Sequence, residues 1–203
     1  MLIKICGITR AEDAREAVDA GADAIGFIFW PRSPRYLAPG AARRIVASLP
    51  PFVTPVGVFV NQPIAEVNAI ADEVRLGAVQ LHGDETPDLL DAIVAPVVKA
   101  VAGASGTEVW PARVTLLVDA KDPVRRGGTG TTSDWGDAAA LARRRHVLLA
   151  GGLTVHNVVE AIARVRPFGI DVSSGVESSP GVKDHGKMRA LIAAARAAPE
   201  GVR

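Results

Sequence analysis

The chain has 203 residues, of which 23 are Lys or Arg and 22 are Asp or Glu, for a formal net charge of +1. This balance creates no global field for nucleic acid or an anionic membrane surface, so we expect neither as a partner. The single cysteine excludes an intrachain disulfide and a Cys-rich zinc site, and it suggests a reducing compartment. Since neither a signal-peptide pattern nor a long apolar run is present, we expect a cytoplasmic protein.

Short runs rich in Val, Ile, Leu and Phe alternate with longer Ala-rich amphipathic segments along the chain. This alternation is typical of repeated βα units around a parallel sheet. The apolar residues of the strand segments are consecutive, as expected where both faces of the sheet are covered. Eight strands are predicted, at Leu2–Cys6, Ala24–Phe29, Thr54–Val60, Ala78–Leu81, Val97–Ala100, Thr115–Asp119, His146–Ala150 and Gly169–Val172.

A helix is predicted after each strand, beginning near Ala11, Pro39, Pro63, Thr86, Gly106, Trp135, Thr154 and Gly186. About 25 residues per unit is near the lower end of what an eightfold α/β barrel needs. An open doubly wound sheet is the alternative, but the first strand is not followed by GxGxxG. Because no linker divides the chain, we predict one domain, a (β/α)₈ TIM barrel over residues 1–203.

Polar residues at strand ends are the candidate site residues, because the loops after the strands build the active site of such a barrel. They follow seven of the predicted strands and are Cys6, Arg32, Arg35, Asn61, His82, Asp119, Gly151–Gly152 and the stretch from Asp171 to Glu177. Gly151, Gly152, Ser173, Ser174 and Gly175 follow the last two strands and offer backbone N–H groups and hydroxyls. This pattern favours phosphate binding over ordinary turns.

Cys6 and Asp119 follow the first and sixth strands, on different sides of the predicted barrel mouth. A thiol whose pKa is lowered by a cation or by backbone dipoles serves as a base. A carboxyl whose pKa is raised by burial serves as an acid. The alternatives are a structural buried cysteine and a salt bridge from Asp119 to Lys4 or Lys121.

Two further side chains of the predicted mouth suit substrate contact. Arg35, in "FWPRSPRY", offers a planar fork to a carboxylate, the alternative being a solvated surface arginine. His82, in "VQLHG", either contacts substrate or orders its own loop. The four histidines fall on unrelated elements, so no metal site is predicted.

Several segments are specific enough to indicate a family: "KICGIT", "GADAIGFIFWPRSPRY", "VGVFVN", "VQLHGDE", "LLVDAK", "GGTGTTSDW", "AGGLTVHNV" and "VRPFGIDVSSGVESSPGVKDH". In this order, and over nearly the whole chain, they closely resemble the phosphoribosylanthranilate isomerases of tryptophan biosynthesis. The resemblance implies an Amadori rearrangement of N-(5-phosphoribosyl)anthranilate to 1-(2-carboxyphenylamino)-1-deoxyribulose 5-phosphate, with no metal and no organic cofactor.

The same motifs imply residue roles. Cys6 is similar to the family's general base, Asp119 to its general acid and Arg35 to its contact with the anthranilate carboxylate. Gly152, Asp171, Ser173 and Ser174 are similar to the residues at the phosphate and sugar end of the family's site. Ser133 stands where the family commonly has an aromatic residue, which leaves the conformation of that loop open. The alternatives are a related phosphosugar isomerase and a non-catalytic barrel that binds a phosphorylated metabolite. A monomer or homodimer is expected.

Overall fold

Eight parallel strands form a closed barrel in the computed structural model, which describes residues 1–119 and 135–198. The strands follow one another around the barrel in chain order, and the last pairs with the first. They are β1 Leu2–Ile5, β2 Ala24–Ile28, β3 Thr54–Phe59, β4 Ala78–Leu81, β5 Val97–Val101, β6 Thr115–Val118, β7 Val147–Leu149 and β8 Gly169–Val172. The predicted (β/α)₈ barrel is confirmed, and the first and last residues of each strand lie within one residue of the predicted ones.

The described ranges contain six α-helices, of which the first five connect strands and the sixth follows the last strand: α1 Ala11–Asp19, α2 Pro39–Val46, α3 Ile64–Val74, α4 Trp135–Ala142, α5 Val158–Val165 and α6 His185–Ala197. The fourth predicted helix is a 3₁₀ helix, Pro87–Ala92. The fifth prediction, near Gly106, is wrong, because the residues between β5 and β6 form only turns and bends. Gly106 itself has φ +72°, which no α-helix accommodates.

The strand side chains alternate between two apolar layers. Outward-facing residues such as Ile3, Ile5 and Phe27 belong to the large core shared with the helices. Leu117 and Leu148 belong to a smaller cluster of the other strand face, inside the barrel. The barrel therefore has a packed apolar interior. Polar side chains line it at the carboxyl ends of the strands.

A hairpin follows β8 and lies against the barrel mouth. It is formed by β9 Glu177–Ser179 and the antiparallel β10 Val182–Lys183, after a 3₁₀ turn at Ser174–Val176. The Lys183 Nζ donates to the carbonyl of Cys6 at 2.6 Å, so the hairpin is joined directly to the end of β1. In the described part of the chain, no helix has the length and apolar character needed to cross a membrane.

Candidate active site

A cavity of about 460 Å³ opens at the carboxyl ends of the strands. The structure brings ten of the predicted candidates to its wall: Cys6, Arg35, His82, Asp119, Gly151, Gly152, Asp171, Ser173, Ser174 and Gly175. Arg32 also lines it, whereas Asn61 does not. The Asn61 backbone N–H instead donates to Glu85 at 2.8 Å and joins the loops after β3 and β4.

Cys6 is buried, with 5% of its surface exposed, and its backbone N–H donates to the Val172 carbonyl at 2.8 Å. Burial raises the pKa of the Cys6 thiol, although the neighbouring ammonium of Lys4 opposes that rise. The sequence analysis expected a lowered thiol pKa for a base at Cys6, whereas in the structure the pKa of Cys6 is raised. A thiolate here needs support from the surrounding charges.

Lys4 and Asp171 form an ion pair beneath Cys6, with 2.8 Å between Nζ and Oδ1. The salt bridge that the sequence suggested for Lys4 as a partner of Asp119 is thus replaced by one to Asp171. The other suggested partner, Lys121, lies outside the described residues. Burial alone would lower the pKa of Lys4, but Asp171 and Cys6 outweigh it, so that pKa is raised.

Asp119 stands at the end of β6, where its backbone N–H donates to the Val101 carbonyl at 3.1 Å. His82 Nε2 lies 3.4 Å from Asp119 Oδ2. The other ring nitrogen of His82, Nδ1, lies 2.9 Å from Nε2 of the buried Gln80. With the Gln80 amide as the donor to Nδ1, the histidine proton lies on Nε2, facing the carboxyl.

Arg35 is held by Glu177 through two parallel hydrogen bonds, from Nε at 2.8 Å and from Nη2 at 2.7 Å. Glu177 also accepts from Lys183 at 2.9 Å. The position of Arg35 depends on Gly7, whose φ is +73° and where an added Cβ would lie 2.6 Å from Arg35 Cδ. The Arg35 guanidinium, which was predicted to bind a substrate carboxylate, is thus already paired with Glu177. Its Nη1 is the nitrogen that does not donate to Glu177.

The loops after β7 and β8 lie in direct backbone contact. An added Cβ at Gly175 would lie 1.8 Å from the Leu153 carbonyl oxygen. Gly151 and Gly152 have φ values of +82° and +65°, a region that favours glycine. Ser173 lines the cavity, and within the described residues its buried Oγ has no hydrogen-bond partner.

A family model for N-(5′-phosphoribosyl)anthranilate isomerase matches residues 3–194. This chain belongs to the phosphoribosylanthranilate isomerase family. It is 51% identical over 201 residues to the N-(5′-phosphoribosyl)anthranilate isomerase of Trichlorobacter lovleyi, covering 97% of this chain and 98% of that one. The crystal structure of the Thermotoga maritima phosphoribosylanthranilate isomerase aligns with a TM-score of 0.87 at 44% identity, covering 97% and 99% of the two chains.

A second family structure holds a ligand. It is a phosphoribosylanthranilate isomerase in complex with reduced 1-(o-carboxyphenylamino)-1-deoxyribulose 5-phosphate. It aligns with a TM-score of 0.84 at 43% identity, covering 97% of this chain and 98% of that one.

Sequence reasoning missed Gln80 and Lys183 as buried polar residues near the cavity, and Lys4 as the partner of Asp171. Glu177 was a candidate in the stretch after β8, but its pairing with Arg35 was not predicted. Lys4 alternates with Ile3 and Ile5 in β1, a spacing that places it inside the barrel. The hairpin carries no comparable periodicity. Ser133 lies outside the described residues, as do the other residues of the "GGTGTTSDW" segment before Trp135.

Proposed function

We propose that this protein is an N-(5′-phosphoribosyl)anthranilate isomerase of tryptophan biosynthesis in which Cys6 is the general base and Asp119 the general acid. The observation that carries these roles is that one cavity joins the Cys6 thiol, the Asp119 carboxyl, an arginine and two glycine-rich loops. The cavity volume of about 460 Å³ is in the range of small-molecule sites.

The reaction begins with a proton from Asp119 to the ribose ring oxygen. The C1′–O4′ bond breaks, and the electron pair of the anilino nitrogen forms the C1′=N bond of an iminium ion. The Cys6 thiolate then removes the C2′ proton, and the electrons of that C–H bond form the C1′=C2′ bond of an enolamine. Tautomerisation adds a proton at C1′ and releases one from the 2′-hydroxyl, so the reaction is proton-neutral overall.

His82 supports the acid step through its position beside Asp119. When Asp119 gives up its proton it becomes a carboxylate, and the Nε2–H of His82, 3.4 Å away, faces that developing charge. A hydrogen bond that strengthens as charge develops stabilises the transition state more than the ground state. We therefore assign His82 a role in catalysis through its contact with Asp119, in addition to ordering its own loop.

The substrate's two anionic ends are assigned to different walls of the cavity. The phosphate lies at Gly151, Gly152, Ser173, Ser174 and Gly175, where Ser173 Oγ offers an unused hydroxyl. The anthranilate carboxylate meets the Nη1 side of Arg35, whose orientation is set by Glu177. The sugar therefore lies between Cys6 and Asp119, as the two proton transfers require.

The test is the fluorescence decay that follows consumption of phosphoribosylanthranilate. We expect Cys6→Ala and Asp119→Asn each to lower kcat by about 10²- to 10⁴-fold, because a positioned acid or base contributes that much. Unchanged circular dichroism and melting temperature are the control for folding. A near-normal rate in either variant would remove that residue from the mechanism.

Growth of a tryptophan auxotroph that lacks the isomerase separates this function from its alternatives. Rescue by this chain is expected, and a barrel that only binds a phosphorylated metabolite cannot provide it. We further propose a cytoplasmic enzyme, because a reducing compartment keeps the essential Cys6 thiol free. A monomer or a homodimer suffices, since one chain supplies every side chain assigned to the reaction.

A further inference from the structure

Lys4 is a charged side chain that the mechanism has not yet used. Only 1% of its surface is exposed, and it enters the barrel interior from β1, two residues before Cys6. A buried ammonium is costly unless it is paired, and Asp171 on the adjacent strand provides the partner at 2.8 Å. Replacing such a pair by apolar residues is often neutral or stabilising, so stability alone does not explain it.

The Lys4 ammonium lies near enough to the Cys6 thiol to favour its thiolate form, and the Cys6 charge in turn helps to raise the pKa of Lys4. Gly26 on β2 shows how closely the two side chains pack. A Cβ added at Gly26 would lie 2.8 Å from Cys6 Sγ and 3.1 Å from Lys4 Cε. The sulfur and the lysine stem therefore share one niche, which only a glycine leaves open.

We propose that Lys4 is a positioning residue for the isomerase reaction, and that its buried ammonium, anchored by Asp171, holds the Cys6 sulfur and stabilises it as a thiolate. The inference rests on the proposed role of Cys6 as the base. It also assigns Asp171 to the anchoring of Lys4, where the family resemblance had assigned it to the phosphate and sugar end.

Charges from four elements act on the thiol. Lys4 on β1 and Lys183 on β10 favour the thiolate, whereas Asp171 on β8 opposes it. Arg35, after β2, also interacts with the Cys6 charge, but Glu177 neutralises it. Lys183 is likewise paired with Glu177 and donates to the Cys6 carbonyl rather than to the sulfur. Lys4 is paired as well, but of these cations it favours the thiolate most, and its stem packs beside the sulfur at Gly26.

The single cysteine allows a direct measurement, since alkylation by iodoacetamide reports Cys6 alone. The alkylation rate below the thiol pKa is proportional to the thiolate fraction. An opposite charge within about 4–6 Å displaces a titration by about 1–3 pH units. We therefore expect Lys4→Met to slow alkylation at pH 8 by about 10- to 1,000-fold.

Asp171→Asn should act in the opposite direction and speed alkylation, because it removes the anion while an amide oxygen still accepts from Lys4. General loosening of the site would move both variants the same way. Lys187→Met is the matched control, a lysine on α6 with 53% of its side chain exposed, and its rate should equal that of the unmodified protein.

The kinetics provide a second readout. In Lys4→Met, kcat should fall by the same factor as alkylation at neutral pH and should recover about tenfold per pH unit as the thiol ionises. Lys4→Gln keeps a donor for Asp171 without the charge, and it replaces Lys4→Met if the latter does not fold. If neither Lys4 variant folds, the direction of the Asp171→Asn effect decides.

A folded Lys4 variant that is alkylated at the normal rate would overturn the inference, and so would an unchanged or slower rate in Asp171→Asn. These results are independent of whether Cys6 is the base. If Cys6→Ala retained activity, the proposed mechanism would fail, while the alkylation rates would still show whether Lys4 stabilises the thiolate.

Discussion

Replacing Gly175 by alanine tests whether the loops after β7 and β8 form one phosphate site held by direct backbone contact. The added methyl group would lie 1.8 Å from the Leu153 carbonyl oxygen and 2.9 Å from its carbon. Both neighbours are backbone atoms, so no side-chain rotation relieves the overlap.

The size of the effect follows from that distance. Raising 1.8 Å to the 3.0 Å below which real Cβ contacts essentially never occur requires the loops to part by about 1.2 Å. Overpacking of this kind typically costs about 1–3 kcal/mol of unfolding free energy. A displacement of about 1 Å in a positioned site costs about 100-fold in rate, so we expect kcat/KM to fall by about that factor.

Gly40→Ala is the matched control. Gly40 lies in α2, and the nearest atom to an added Cβ there is Glu73 Oε1, at an ordinary contact distance of 3.8 Å. Alanine in a helix is favoured over glycine by about 0.5–1 kcal/mol, so this variant should be slightly more stable and fully active. Urea unfolding gives the two free energies, and the fluorescence decay gives kcat and KM.

The reasoning would be refuted if Gly175→Ala kept both the stability and the kcat/KM of the unmodified enzyme. Loss of stability with unchanged KM would show that the loop contact supports the fold but not the phosphate site.

Two further expectations concern the charges at the mouth. Arg35→Ala should raise KM by about 10- to 100-fold, because a hydrogen bond to a charged group contributes about 1.5–3 kcal/mol, and an unchanged KM and rate would contradict the carboxylate contact. Burial opposes ionisation of Glu177, but Arg35 and Lys183 outweigh it and hold its pKa below the ordinary 4.5. Its stabilisation is therefore present above that pH and is lost as the pH falls through the lower folded value. Glu177→Gln should be destabilised by about 1–3 kcal/mol at pH 7 but not in acid, as measured by urea unfolding across pH, and an equal loss at both would argue against the ion pair.

The barrel could be predicted because its determinants are local. Consecutive apolar residues in each strand and a chain that turns after each βα unit determine both the strand order and the mouth, since every strand end points the same way. The predicted helix near Gly106 is wrong because the local sequence was misleading there. An Ala-rich composition there suggested a helix, but the glycine takes φ +72° and the segment is confined to turns.

The pairing of charges could not be predicted from spacing, because it depends on distances across the barrel. Lys4 is separated from Asp171 by 167 residues and Arg35 from Glu177 by 142, although each pair lies within 2.8 Å. In β1 the spacing places Lys4 inside the barrel, but the partner that the sequence suggested for it was Asp119. Adjacency of β1 and β8 decides for Asp171, because it places Lys4 opposite that residue in the register. The Lys4 ammonium that we propose to support Cys6 is therefore anchored by barrel closure, because closure pairs the first strand with the last and places Asp171 beside Lys4.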